Sequence, residues 1–247
     1  MKRYLITFSY DGYNFNGYQK QPKLRTVQGE IEKALKFINN DKTVEIHASG
    51  RTDAKVHALN QKAHFDLDVN IKLEKLKMAL NSYTPQDIYI KNIKIVDEKF
   101  HARYMVKAKE YIYKINLGEY DPLERNNVYQ YNKKLDLPEI ERALKFLEGE
   151  HDFTTFCCKE EKQENNVRTI IQTNLIREKT DVNKITLSFV GTGFLKYQVR
   201  NMVGTLIEVG EGKRKSEEII NVLEKKDRRK AGKTANPEGL YLQDVLY

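Results

Sequence analysis

Tryptophan is absent from this chain of 247 residues, cysteine occurs only as the adjacent pair Cys157 and Cys158, and there are just five prolines. Two cysteines make neither a Cys-rich zinc cage nor the disulfide framework of a small secreted domain, so a reducing compartment is expected. With 40% apolar and 32% charged residues, the composition is that of a globular protein and not of a disordered one. No window approaches the roughly 18 apolar residues of a membrane helix, and the opening MKRYLITFSYDGYNF has a basic start without a sustained apolar run. The expectation is a cytoplasmic protein with no membrane partner. A Walker or GxGxxG phosphate loop is also missing, because Gly191 and Gly193 in VGTGF lack the helix-opening context, which disfavours nucleotide triphosphate chemistry.

What is present is positive charge and tyrosine. Forty-three Lys and Arg stand against 35 Asp and Glu, a net charge of +8, together with 15 Tyr and 10 Phe. This balance suits a polyanion whose bases can be stacked, although charge alone is shared with many proteins that bind no nucleic acid. Three basic runs are candidate phosphate contacts: 20–25, 213–215 and 225–230. Such a run is as often a solvated face.

Hydropathy patterning outlines two similar halves. Lys2 to Ser9 alternates with the period of a strand, and Thr26 can cap a helix whose apolar stripe is Val27, Ile31, Leu35 and Ile38. Short strands at Val44 to Ala48 and Gln61 to Asp66 follow, then a helix carrying Leu73, Leu76 and Leu80, and a strand from Ile88 to Val96. The grammar then repeats. A strand carries Tyr111, Tyr113 and Ile115, a helix runs from Pro138 to Leu147, strands run at Thr169 to Arg177 and Lys184 to Val190, helices lie near Val199 to Glu208 and Ser216 to Leu223, and a strand ends the chain from Leu240. Strict βαβ alternation is lacking, which favours an α+β fold over a doubly wound parallel sheet. Two similar α/β halves sharing a mixed, mostly antiparallel sheet are expected, with helices on one face and a central basic cleft. The halves divide as residues 1–105 and 106–247.

The densest chemistry lies in SGRTDAKVHA, where Arg51, Thr52, Asp53 and His57 put a cation, a hydroxyl, a carboxylate and an imidazole within seven positions. On these residues alone the plainer reading is favoured, in which Asp53 or Thr52 caps a turn and Arg51 pairs with it. No HxxxH, HExxH or DxD set stands beside the loop and the five histidines are scattered, so no metal site is expected. Cys157 and Cys158 read as structural.

GRTDAKVHA followed by QKAHFD resembles the signature of the TruA family of tRNA pseudouridine synthases, usually GRTDAGVHA. The resemblance extends through FNGYQKQP, TVQGEIEKAL, LNSYTPQDI, FHAR, KEYIYKI, HDFTTF, FLKYQVRNMVGTLIEVGEGK and GLYLQDVLY. Three positions depart from the pattern: Lys55 stands where glycine is usual, Thr84 where leucine usually precedes the proline, and Tyr18 where an indole is common. The resemblance implies an isomerase acting as a homodimer on tRNA, at positions 38 to 40 of the anticodon stem-loop, with no cofactor. It implies that Asp53 is the nucleophile and that Arg51, Tyr111 and Arg200 bind the substrate. Chemistry agrees, since a carboxylate with a pKa near 4 is ionised at pH 7 and can attack, or act as a base on, a sugar centre with oxocarbenium character. A catalytically silent RNA-binding module is disfavoured by the intact Arg51, Asp53, Tyr111 and Arg200, and a metal-dependent nuclease by the lack of a carboxylate cluster. A paralogue acting on another RNA, such as ribosomal RNA, stays open.

Overall fold

The computed structural model describes residues 1–158 and 165–247, and among them run ten strands and five α-helices. The chain forms two compact units, Met1–Lys107 with Tyr241–Tyr247, and Ala108–Leu240.

In the first unit the order is β1 (Lys2–Tyr10), α1 (Val27–Ile38), β2 (His47–Ala48), β3 (His57–Leu67), α2 (Leu73–Tyr83) and β4 (Ile88–Val96). The alternation read from β1 buries Tyr4, Ile6, Phe8 and Tyr10. β1 runs antiparallel between β3 and β4, with Tyr4 opposite Phe65 and Ile6 opposite both Ala63 and Ile93. Tyr4 and Phe65 stack with centroids 5.7 Å apart. The Thr26 hydroxyl accepts the Gly29 amide at 3.3 Å, satisfying one of the amides that a helix start leaves without an intrahelical partner. α1 buries Val27, Ile31, Ala34 and Leu35, and α2 buries Leu76 and Leu80.

The second unit runs β5 (Ala108–Asn116), β6 (Tyr129–Gln130), α3 (Leu137–Lys145), β7 (Gly149–Asp152), β8 (Val167–Arg177), β9 (Lys184–Gly191), α4 (Gln198–Gly210) and α5 (Glu218–Glu224). Strands β5, β9, β8 and β7 pair antiparallel in that order. Asp136 caps α3 by accepting the Glu139 amide at 3.0 Å. α4 is buried on nearly every side. At Gly204 a Cβ would lie 1.6 Å from the Lys233 carbonyl oxygen, so only glycine lets the segment at 231–235 reach the helix.

The last strand, β10 (Leu240–Leu246), lies parallel to β3, with Tyr241 opposite His57 and Leu242 opposite Ala58. This partner from the far end of the sequence explains why β3 begins at His57 and not at Gln61, as local pattern suggested. The β10–β3 pair and β5–β6 are parallel, whereas β1–β3, β1–β4, β2–β3, β5–β9, β7–β8 and β8–β9 are antiparallel, the mixed, mostly antiparallel α+β class expected. The four-residue β7 and two-residue β6 are too short to show a period and were not expected. Among the described residues no helix is long and apolar enough to cross a membrane.

The structure changes the reading of the basic run at 225–230. The half-buried Arg228 guanidinium donates to the Gly232 carbonyl at 3.0 Å, Asn201 Oδ1 at 2.9 Å and Thr234 Oγ1 at 2.9 Å, tying the 231–235 segment to α4. Lys226 pairs with Asp152 and Arg229 with Asp227, both at 2.8 Å. Arg228 is therefore a structural bolt, which lowers the weight of this run as a phosphate track. Removing it takes a charged donor from all three acceptors, and Asn201 Oδ1 and Thr234 Oγ1 keep only the bond they share. Arg228→Ala is expected to lower unfolding free energy by about 2–4 kcal/mol, whereas Lys225→Ala and Lys230→Ala stay within about 0.5 kcal/mol, as urea titration would measure.

A histidine cluster contributes to the acid limb of stability. His64 on β3 is buried, accepts the Ala102 amide on Nδ1 at 3.1 Å, and has the His47 and His101 rings 5.0 and 4.7 Å away. Burial above all, then His101, Arg3 and His47, lowers its pKa to about 4, with Asp66 opposing. The unfolded chain takes up this proton near pH 6.5 and the folded chain does not, so stability falls as pH drops from 6.5 towards 4. About 2 kcal/mol is expected to be lost by pH 5. Melting temperatures across that range should show the decline, and His64→Asn should flatten most of it.

Candidate active site

The loop joining β2 to β3 is held at both ends. At its entrance Ser49 donates its amide to the Lys62 carbonyl at 2.8 Å and its hydroxyl to Gln61 Oε1 at 2.6 Å. Gln61, fully buried, returns its amide to the Gly50 carbonyl at 2.9 Å. In the middle, the Thr52 carbonyl accepts the Tyr18 amide at 3.1 Å, and the Thr52 hydroxyl lies 2.8 Å from that of Tyr10. Burial pushes the Tyr10 phenol up to about 12, so it stays protonated and serves as a neutral bonding group.

The exit is a tight turn in which Val56 donates to the Asp53 carbonyl at 3.2 Å and Lys55 to the Phe15 carbonyl at 3.2 Å. Gly12, just past the end of β1, donates its amide to His57 Nδ1 at 3.0 Å. A Cβ there would stand 2.0 Å from the Val56 carbonyl oxygen. The His57 ring stacks on Tyr241 at 4.6 Å. Asp53 thus sits half-buried on a stretch of backbone anchored on either side, with Arg51 exposed two residues before it.

Two of the three departures from the family pattern have local explanations. Lys55 has φ 64°, the left-handed region that glycine occupies freely, so the loop keeps its shape with lysine at a cost of about 1 kcal/mol. Thr84 closes α2 by donating its hydroxyl to the Leu80 carbonyl at 2.8 Å. Tyr18 is buried, its hydroxyl has no partner among the described residues, and nothing in the structure explains the tyrosine there.

In the second unit Tyr111 lies on β5 opposite Phe189, buried, with the Phe194 ring edge-on at 5.1 Å. Its neighbour in the KEYIY motif has a different task, since Tyr113 donates its hydroxyl to the Asn236 carbonyl at 2.7 Å. Arg200, in the first turn of α4, donates Nε to the Ala235 carbonyl at 2.8 Å and accepts the Ala235 amide on its own carbonyl at 3.0 Å. Its guanidinium carbon lies 5.0 Å from the centre of the Tyr197 ring, and Tyr197 itself is left-handed at φ 64°. The loop therefore carries Arg51 and Asp53 in the first unit, while Tyr111 and Arg200 are held in the second. The supporting residues Tyr10, Gly12, Gln61 and Tyr241 were not singled out from sequence. A polar Gln61 at an inward strand position was the one available signal. Among the described residues, no group of three or more His, Cys, Asp or Glu side chains is placed to hold a metal ion.

Comparison with known proteins agrees with the signature. The family described as tRNA pseudouridine synthase matches residues 6–105 and 143–247. The tRNA pseudouridine synthase A of Geobacillus sp. (strain WCH70) is 45% identical over 247 residues, covering 100% of this chain and 98% of that protein. Those of Streptococcus pneumoniae (strain 70585) and Anoxybacillus flavithermus (strain DSM 21510 / WK1) are each 44% identical, over 100% of this chain and 99% of theirs. A solved Cbf5-Nop10-Gar1 complex aligns with a TM-score of 0.36 and 12% identity, over 82% of this chain and 54% of that one, too distant to bear on the fold.

The contact between Gly12 and Val56 yields a test. Gly12→Ala is expected to lower unfolding free energy by about 1–3 kcal/mol, because backbone and not a flexible side chain must yield. Gly193→Ala, where a Cβ meets nothing closer than 3.7 Å, is the neutral control. Denaturant melts of both variants would check this.

Proposed function

The chain belongs to the tRNA pseudouridine synthase family, and from that premise we propose that Asp53 is the nucleophile of an isomerase that converts uridine to pseudouridine in the anticodon stem-loop of tRNA. Uridine and pseudouridine are isomers. The N1 to C1′ bond breaks, the base turns, C5 joins C1′, the C5 hydrogen leaves as a proton and N1 gains one. No electron is gained or lost overall, so the proposal contains no cofactor and no metal.

An ionised carboxylate supplies what this reaction needs, a nucleophile that can add and later leave. Arg51 and Arg200 are assigned to substrate binding, where a guanidinium can grip a phosphate by two parallel hydrogen bonds and favours an ionised carboxylate nearby. Tyr111 is assigned to stack on the target uracil, a contact worth about 1–3 kcal/mol per base. A uridine paired in a stem must be extruded before its sugar and base can be reached. The proposal includes a homodimer and a cytoplasmic location, as the family resemblance implies.

The observation that most supports this reading is the pinned turn at Asp53. Its carbonyl accepts the Val56 amide, and its neighbour Thr52 is bonded to both Tyr10 and Tyr18. A catalytic group gains from such restraint, since small displacements of a reacting atom are costly in rate. Asp53→Asn keeps size and removes only the charge. It is expected to abolish isomerisation in single-turnover assays on unmodified tRNA while filter-binding affinity stays within about threefold of wild type. A variant that still turns over would remove Asp53 from the nucleophile's role.

A further inference from the structure

One cation beside Asp53 has no part in the chemistry just described. Lys55 is exposed, two residues after the proposed nucleophile, and its backbone is bound to the Phe15 carbonyl in a conformation that suits glycine. Among the described residues it forms no ion pair with a carboxylate. Two cations of the 20–25 run are, by contrast, paired with carboxylates. Arg25 is held by Asp87 through bonds of 2.7 and 2.9 Å, and Lys20 by Glu32 at 2.8 Å. What Lys55 does have is a platform, with its ammonium 5.2 Å from the centre of the half-exposed Tyr13 ring. Tyr13 is in turn fixed by its amide, which donates to Asp11 Oδ1 at 3.0 Å.

A ring face directs an ammonium without neutralising it, in contrast to a carboxylate. We propose that Lys55, steered by Tyr13, binds a backbone phosphate of the RNA next to the target uridine, so that the lysine adds a substrate contact that glycine at this position does not offer. The proposal deepens the tRNA reading and rests on it. The strained backbone is the trade that makes the contact visible: lysine here lowers stability and has a function on the RNA side.

The test separates fold from binding. In the Asp53→Asn background, where turnover cannot confuse the readout, tRNA affinity is measured by filter binding over a range of salt concentrations for Lys55 and for Lys55→Gly. Lys55→Gly is expected to raise the melting temperature by roughly 2–4 °C through relief of strain. It should also weaken tRNA binding by roughly fivefold and reduce the slope of log affinity against log salt by about 0.7–0.9, the contribution of one phosphate contact. Lys55→Arg should restore both affinity and slope. Tyr13→Ala should reproduce part of the affinity loss without raising the melting temperature. Unchanged affinity and slope in Lys55→Gly would overturn the assignment of Lys55 alone. Failure of the parent protein to bind tRNA at all would overturn it together with the reading on which it rests.

Discussion

The approach of Gly12 to the turn at Val56 and His57 governs the form of the loop that carries Asp53. The end of β1 can lie against that turn only because residue 12 has no side chain, and the close packing aligns its amide with His57 Nδ1. His57 is thereby fixed as the first residue of β3, where β10 pairs with it and Tyr241 covers its ring. From the other side, Gln61 and Ser49 close the loop's entrance. The intervening residues are left little freedom, and Asp53 lies among them. Hydrogen bonds of this kind each add little net stability, but several of them acting on one short segment restrict it to one conformation.

The second unit shows the same construction with different parts. Arg228 ties Thr234 to Asn201, the Gly204 contact brings the 231–235 segment against α4, and Ala235 exchanges two hydrogen bonds with Arg200. The residues assigned to substrate are thus oriented by neighbours whose own role is structural. Both segments contain a non-glycine residue in the left-handed region, Lys55 and Tyr197. Backbone strain of this sort is retained only where surrounding contacts over-determine the conformation, which these contacts do.

Much of this was legible in the sequence where local pattern and burial coincide. The stripe of Val27, Ile31 and Leu35, the cap at Thr26 and the alternation from Tyr4 to Tyr10 all follow from periodicity and are realised as α1 and β1. The apolar stripe weakens at its end, where Ile38 is only half-buried. What could not be read was long-range. The extension of β3 to His57 depends on β10, some 180 residues later, and Arg228 looked like part of a solvated basic run until its acceptors at 201, 232 and 234 were in view. The loop shows the same division. Its residue types alone favoured a capped turn, the family signature singled out Asp53, and the physical meaning of the usual glycine at position 55 emerged only from the left-handed backbone that Lys55 adopts.

The central claim is that this loop presents a carboxylate for an isomerisation in which C5 of uracil exchanges its hydrogen for the sugar carbon. The most direct measurement is tritium release from unmodified tRNA labelled at C5 of its uridines, with the purified protein and no added cofactor. Release of tritium into water, in step with conversion of uridine to pseudouridine in the anticodon stem-loop, is the predicted result. Binding of the same tRNA with no tritium released would contradict it.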